Sequence, residues 1–318
     1  MKGTKKSKKI KKIIVMVISL ILAMTAVAVA IVGINYWQNQ NFDETFYSVS
    51  SLKVNNKFRI IQISDLHDSA YGNQNTKLVS RISKLEPDII ILTGDCISNN
   101  GSSNKCVELC SMLTKIAPTY YVYGNSEVKA NYIHGFTLAE LDKHFGFSGG
   151  IRTPEELLEE REPLEEKLTS VGVKVLKNSF DTITVGNTQV DIYGVLTSNP
   201  SAFWEYADES FNDFLCENET HFKLTAIHEP VIFEEFEPDY WGDLMLAGHT
   251  HGGIIRVPLL GPLYTHEGGL FPGRAGAYVY GRYEVQGRPL IVSSGLENQN
   301  IFRINNEPEL VIVDVNKF

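Results

Sequence analysis

The stretch Leu244-Met245-Leu246-Ala247-Gly248-His249-Thr250-His251-Gly252-Gly253 decides how the chain is read. Four consecutive apolar residues suit a strand buried on both faces, and a glycine ends it just before two histidines one residue apart. The same pattern recurs upstream. Phe58 to Ile63 runs into Ser64-Asp65-Leu66-His67, and Ile89 to Leu92 into Thr93-Gly94-Asp95. Tyr120 to Tyr123 leads into Gly124-Asn125-Ser126-Glu127, and Leu224 to Ile227 delivers His228. Between the first two strands, Lys77 to Leu85 places Leu78, Ile82 and Leu85 on one helical face, a crossover that implies parallel pairing. Cys106, Cys110 and Leu113 mark the next helix. Beyond Gly253 the β-rich segments are Tyr278 to Val285, Leu290 to Ser293 and Leu310 to Val315. One α/β domain with two sheets is the economical reading.

Ligands bind outside the carboxyl ends of the strands in open α/β sheets. Five strand ends therefore bring Asp65, His67, Asp95, Asn125, His228, His249 and His251 toward one edge. Carboxylate, imidazole and amide oxygen together suit Mn²⁺, Fe or Zn²⁺, and a carboxylate such as Asp95 can bridge two cations. Asp65 and His67 are expected to alternate along an extended segment and so to face one side, as are His249 and His251. Each element alone is a common turn or a structural histidine; five at five strand ends make a metal site.

Charge and length narrow the function. The 318 residues carry a formal net charge of −9, although the first twelve hold seven lysines and no acid, so the body is more acidic still. That balance argues against nonspecific nucleic-acid binding. The four cysteines, Cys96, Cys106, Cys110 and Cys216, lack zinc-site spacing and are read as core residues, with oxidation of one pair in an exported domain as the alternative.

Ile13 to Ile34 is an uncharged run long enough to cross a hydrocarbon core of about 30 Å, and Tyr36 and Trp37 suit the far interface. The expected organisation is a basic cytoplasmic segment at 1–12, a transmembrane signal-anchor at 13–35, a polar linker at 36–57 and one catalytic domain at 58–318. The lysines would hold the amino terminus inside, placing the domain outside the cell membrane on a single-pass anchor. A cleaved signal peptide, with sites at Ala26-Val27-Ala28 and Ala28-Val29-Ala30, would release the same domain as a secreted protein.

The ordered series Asp-x-His, Gly-Asp, Gly-Asn, His and Gly-His-x-His resembles the calcineurin-like metallophosphoesterases, from Phe58 to about Val315. Asp243 to Pro258, together with Ser293-Ser294-Gly295, is similar to the membrane-linked branch containing the YkuE-like and YaeI-like phosphoesterases. The resemblance implies a four-layer α/β/β/α sandwich and two divalent transition-metal ions. It implies that Asp65, His67, Asp95 and His251 hold one ion, and Asp95, Asn125, His228 and His249 the other. A hydroxide shared by the ions would attack phosphorus in line; Asn125, His228 and His249 would be catalytic. Substrates would be phosphorylated small molecules or lipids, with membrane tethering favouring a lipid-linked or envelope phosphodiester or pyrophosphate.

One position departs from the pattern. The family reads Gly-Asn-His followed by an acid, and that histidine helps protonate the leaving group; here Ser126 stands in its place, with a hydroxyl pKa too high for acid catalysis near neutrality. His134 and His266 are the available substitutes, and Arg256, Arg274 and Arg303 are candidates for contact with phosphate oxygens. An alternative reading makes the chain a metal-binding sensor that keeps the cage without turnover; against it stands the complete set of seven ligands.

Overall fold

A computed structural model describes residues 2–97, 103–130, 164–196, 210–235, 241–253, 255–265, 269–274, 276–299 and 303–318. Helix α1 (Lys2–Asn39) leads into β1 (Asp43–Ser51) and β2 (Phe58–Ile63), and α2 (Thr76–Lys84) carries the chain to β3 (Ile89–Leu92). Then come α3 (Asn104–Leu113), β4 (Thr119–Val122), α4 (Asn125–Ala130), α5 (Leu164–Ser170), β5 (Lys174–Leu176), β6 (Ser179–Val185) and β7 (Thr188–Gly194). The second half holds β8 (Phe222–Ala226), α6 (Ile232–Glu235), β9 (Leu244–Ala247), the short strands β10 (Arg256–Val257), β11 (Gly261–Pro262), β12 (Tyr264–Thr265) and β13 (Gly269–Leu270), and finally β14 (Gly281–Val285), β15 (Arg288–Val292) and β16 (Glu309–Lys317).

The larger strands form two six-stranded sheets, ordered β1-β16-β2-β3-β4-β5 and β14-β15-β9-β8-β7-β6. β2, β3, β4 and β5 pair in parallel, as do β7, β8, β9 and β15. Buried apolar residues from both faces of these strands explain the pairing: runs such as Ile89–Leu92 are apolar on each side and cannot be left at a solvated face. One apolar cluster lies between the sheets, with Ile60, Ile89, Ile91, Leu224, Leu244 and Val313 among its members. A second joins Ile61, Ile63, Ile90 and Leu92 to Leu78 and Ile82 of α2 and to Leu109 and Leu113 of α3. The third packs Tyr193, Met245, Ala247 and Val292 beneath Phe211, Phe214, Phe233 and Trp241.

The expected linker at 36–57 is corrected by the structure. Residues 43–51 are β1, paired in parallel along its whole length with β16, from Asp43 opposite Glu309 to Ser51 opposite Lys317. The segment therefore belongs to the first sheet as its edge strand. Helix α1 also runs past the apolar stretch to Asn39, because its last turn is fixed to the domain: Asn35 Nδ2 donates to the Arg303 carbonyl at 2.6 Å, and Gln38 Nε2 donates to Glu307. The cysteines are corrected at one position: Cys96, Cys106 and Cys110 are buried free thiols, whereas Cys216 is exposed. β5, β6 and β7 extend the sheets beyond the strands expected from the sequence, and Gly186-Asn187 is a two-residue hairpin turn between β6 and β7.

Candidate metal centre

The turns after β2, β3, β4, β8 and β9 meet at one edge, and their backbones are tied together before any side chain is considered. Asp65 N donates to Gly94 O at 3.0 Å, His67 N to Asp95 O at 3.0 Å and Gly248 N to His228 O at 2.9 Å. The approach is so close that a side chain has no room at two glycines. A Cβ on Gly248 would lie 1.9 Å from Ser64 Oγ, and one on Gly124 would lie 2.3 Å from Asp95 Oδ1.

These turns are not the extended segments expected for Asp-x-His and His-x-His. Asp65, His67, Asp95, His249 and His251 all have positive φ, between 45° and 73°, and His251 opens a 3-10 turn. Non-glycine residues rarely adopt this left-handed region, and where they do it marks strain held by the surrounding structure. The expected convergence survives by a different route, since the side chains reach one another through tight turns rather than through strand alternation.

Two groups of donor atoms result, Asp65 with His67 and His251, and Asp65 with Asp95 and His228, each set lying within 4.8 Å of one another. His251 Nε2 stands 3.8 Å from Asp65 Oδ1. Asp95 turns one oxygen toward each group, Oδ2 to His67 Nε2 at 3.5 Å and Oδ1 to His228 Nε2 at 3.6 Å. His249 joins through Nδ1, 3.2 Å from His228 Nε2. Asn125 begins α4, next to Ser126, whose backbone N–H donates to Asp95 Oδ1 at 2.7 Å.

The outer contacts set the state of the donors. His228 Nδ1 lies 2.8 Å from the Thr93 carbonyl, which can only accept, so the proton sits on Nδ1 and the Nε2 lone pair faces the carboxylates. Asp65 is wholly buried, which would raise its pKa, but the imidazoles of His251, His228 and His67 and the Ser64 hydroxyl at 2.6 Å outweigh burial and hold it down at about 2. The single backbone N–H of His249 is forked between both its oxygens, at 3.2 and 3.0 Å. Burial, reinforced by Arg303, pushes His251 down to about 4 and keeps it neutral. Burial acts the same way on His67, but the Asp95 and Asp65 carboxylates prevail and raise its pKa above the ordinary value. Carboxylate oxygens and imidazole nitrogens gathered in one compact edge are a donor set that fits divalent cations.

Glu127 is the main residue that motif reading passed over. It is fully buried, and its two oxygens receive five donors: Asp95 N and Gly124 N at 2.8 Å on Oε2, and Cys96 N at 2.9 Å, Ile97 N at 3.3 Å and Tyr121 Oη at 2.6 Å on Oε1. Burial and the Asp95 charge push its pKa up to about 7, against the hydrogen bonds that favour its anion. Its position after Gly-Asn is visible in the sequence, but its partners Asp95, Cys96 and Ile97, 30 to 32 residues upstream, are not. Glu297, with Oε2 3.6 Å from His251 Nδ1, had no motif to announce it.

Arg303 does not face a phosphate site. It is fully buried, and its guanidinium donates to the Ser294 carbonyl at 2.9 Å, to Glu297 O at 3.1 Å and to His251 O at 3.4 Å, so it buttresses the histidine turn. Arg256 lies over the Tyr280 ring at 3.5 Å. His134 and His266 and the side chain of Arg274 lie outside the described residues.

Comparison with known proteins agrees with this geometry. Residues 58–253 match the family described as calcineurin-like phosphoesterase. Phosphodiesterase YaeI of Escherichia coli is 27% identical over 264 residues, covering 81% of this chain and 82% of that protein. Metallophosphoesterase YkuE of Bacillus subtilis is 26% identical over 263 residues, covering 80% and 78%. UDP-2,3-diacylglucosamine pyrophosphatase LpxG of Chlamydia muridarum is 26% identical over 277 residues, covering 74% and 78%. The chain is a hydrolase of phosphoric ester bonds and belongs to the calcineurin-like phosphoesterase family, in the branch of YkuE and YaeI.

Proposed function

We propose that the chain hydrolyses a lipid-linked or cell-envelope phosphodiester or pyrophosphate, with its site held outside the membrane that α1 crosses. The observation that carries the reading is the position of Asp95, which presents Oδ2 to His67 and Oδ1 to His228. In this reading Asp65, His67, Asp95 and His251 hold one divalent ion, and Asp95, Asn125, His228 and His249 the other. Bound there, the ions supply an activated water and neutralise charge on the phosphoryl oxygens. The chain's own residues fix the geometry: Glu127 and Ser126 N–H hold Asp95, His249 N–H and Ser64 hold Asp65, and Thr93 sets the His228 tautomer. Three apolar clusters, one between the sheets and one on each outer face, support a four-layer α/β/β/α sandwich.

Three features support the substrate class. LpxG, by its name, acts on a diacylated sugar pyrophosphate. Lys11–Asn39 is long and apolar enough to cross a membrane. Ser126 removes the leaving-group acid, which favours groups that depart as stable anions. Hydrolysis of bis-p-nitrophenyl phosphate with Mn²⁺ tests the reaction itself: turnover abolished by chelator and by Asp95→Ala supports it, and turnover indifferent to both overturns it.

A further inference from the structure

Large apolar side chains are exposed in one small region beside the site. Outside α1, seven large hydrophobic residues are exposed among the described residues, and four of them, Leu259, Leu260, Tyr264 and Leu270, fall within twelve positions. They ride on two consecutive hairpins that continue from the His251 turn. β10 pairs antiparallel with β11, with Pro258-Leu259-Leu260 at the tip. β12 pairs with β13 so that Tyr264 sits opposite Leu270. Leu259, at the tip, has φ 66° and is wholly exposed, and Leu270 is 71% exposed. A leucine in the left-handed region at full exposure gains nothing from the protein, which points to an outside contact.

The two hairpins are stitched together and to the anchor. Leu263 N donates to Ile255 O at 2.8 Å and Phe271 N to Leu263 O at 2.8 Å. The base of the first hairpin is held by the segment 303–307: Arg256 N donates to Ile304 O at 2.9 Å, and Asn305 Nδ2 donates to Arg256 O at 3.2 Å. That same segment receives the end of α1, through Asn35 on the Arg303 carbonyl and Gln38 on Glu307. From Lys11 the helix is exposed through Ile34 and becomes half-buried only at Asn35, so the membrane segment ends where the domain begins. One five-residue stretch therefore fixes both the helix exit and the hairpins, with Tyr36 and Trp37 exposed between them.

We propose that the Leu259-Leu260 tip and the Tyr264/Leu270 hairpin dip into the interface of the same lipid leaflet from which α1 emerges, forming a second, non-covalent membrane contact. This rests on the reading that α1 crosses a membrane. Apolar tips and an aromatic ring suit the boundary between headgroups and acyl chains, and the acidic body disfavours purely electrostatic attachment to an anionic surface. Because His251 immediately precedes these hairpins, the contact sets the metal centre at headgroup height, where a phosphoester carried by a lipid can reach it without leaving the bilayer.

The test uses the full chain in vesicles of phosphatidylethanolamine and phosphatidylglycerol with brominated acyl chains. On a Cys216→Ser background, an environment-sensitive fluorophore is placed by Leu259→Cys, by Val27→Cys in the helix, or by Lys84→Cys at the exposed end of α2. The expected result is bromolipid quenching at 259 and at 27 and none at 84. Quenching at 27 with none at 259 overturns the proposal and leaves the anchor standing. No quenching at 27 refutes the anchor itself, and the proposal with it. Emission at 259 that changes with protein density but not with bromination marks a contact between copies of the chain and likewise overturns the lipid contact.

Discussion

Glu127→Gln isolates what one buried carboxylate does for the metal centre. Its two oxygens accept from Asp95 N, Gly124 N, Cys96 N, Ile97 N and Tyr121 Oη, which joins the turn after β3 to the turn after β4. Glutamine keeps the shape but replaces one acceptor oxygen by an NH₂ group. In either amide orientation at least two of the five donors then face a donor. Each buried donor left without an acceptor costs about 1–3 kcal/mol, and the remaining bonds lose their charge assistance, so the total is about 3–5 kcal/mol. At about 2–4 °C per kcal/mol for a domain of this size, the midpoint should fall by roughly 10 °C. The measurement belongs at pH 8, above the pKa of about 7 to which burial and Asp95 push this group. Metal affinity or turnover should fall by about 10–100-fold, the usual cost of disturbing an outer-shell partner. A thermal midpoint within about 2 °C of wild type, together with unchanged metal affinity, would refute the clamp.

The remaining predictions concern backbone approach, protons and leaving group. Gly248→Ala should abolish activity, because its Cβ would sit 1.9 Å from Ser64 Oγ and 2.6 Å from Asp65 Oδ2; a turnover assay showing wild-type rates would contradict the packing. Metal affinity measured by calorimetric titration should weaken as pH falls from 8 to 6. His67 must be neutral to bind a cation, and Asp95 and Asp65 raise its pKa, so protons compete by about tenfold per pH unit below that pKa. His251, held near 4 by burial, stays neutral throughout and adds nothing to this slope. Across a series of aryl phosphodiesters the rate should fall steeply as leaving-group pKa rises, because Ser126 offers no acid, and Ser126→His should flatten the slope.

The ligand-bearing turns were legible because parallel strands buried on both faces announce themselves as short apolar runs, and the residues just after them are where an α/β sheet puts its chemistry. Ile89–Leu92 and Leu244–Ala247 were read with the bounds the structure gives them. β1 escaped notice because it is an edge strand: in Asp43–Ser51 only Val49 is buried, and its partner β16 lies more than 250 residues away. β6 alternates between half-buried and exposed residues, a signal much weaker than a continuous run. The geometry of the site was the least legible part. Nothing in Asp-x-His reveals left-handed turns at Asp65 and His67, because that conformation is imposed by the neighbouring loop through Gly94 O and Asp95 O. Nor could the sequence show that Arg303, read as a phosphate contact, is spent on the carbonyls of Ser294, Glu297 and His251.

The central claim is that two groups of side chains hold two ions, with Asp95 common to both. Metal analysis of the full chain, stripped with chelator and reconstituted with Mn²⁺, tests it most directly when wild type and Asp95→Ala are compared. The account predicts about two ions per wild-type chain and a loss of both tight binding and turnover in the variant, since removing a carboxylate between two cations leaves their repulsion unscreened. One ion or none in the wild type, or an Asp95→Ala variant that binds two ions as tightly, would contradict it.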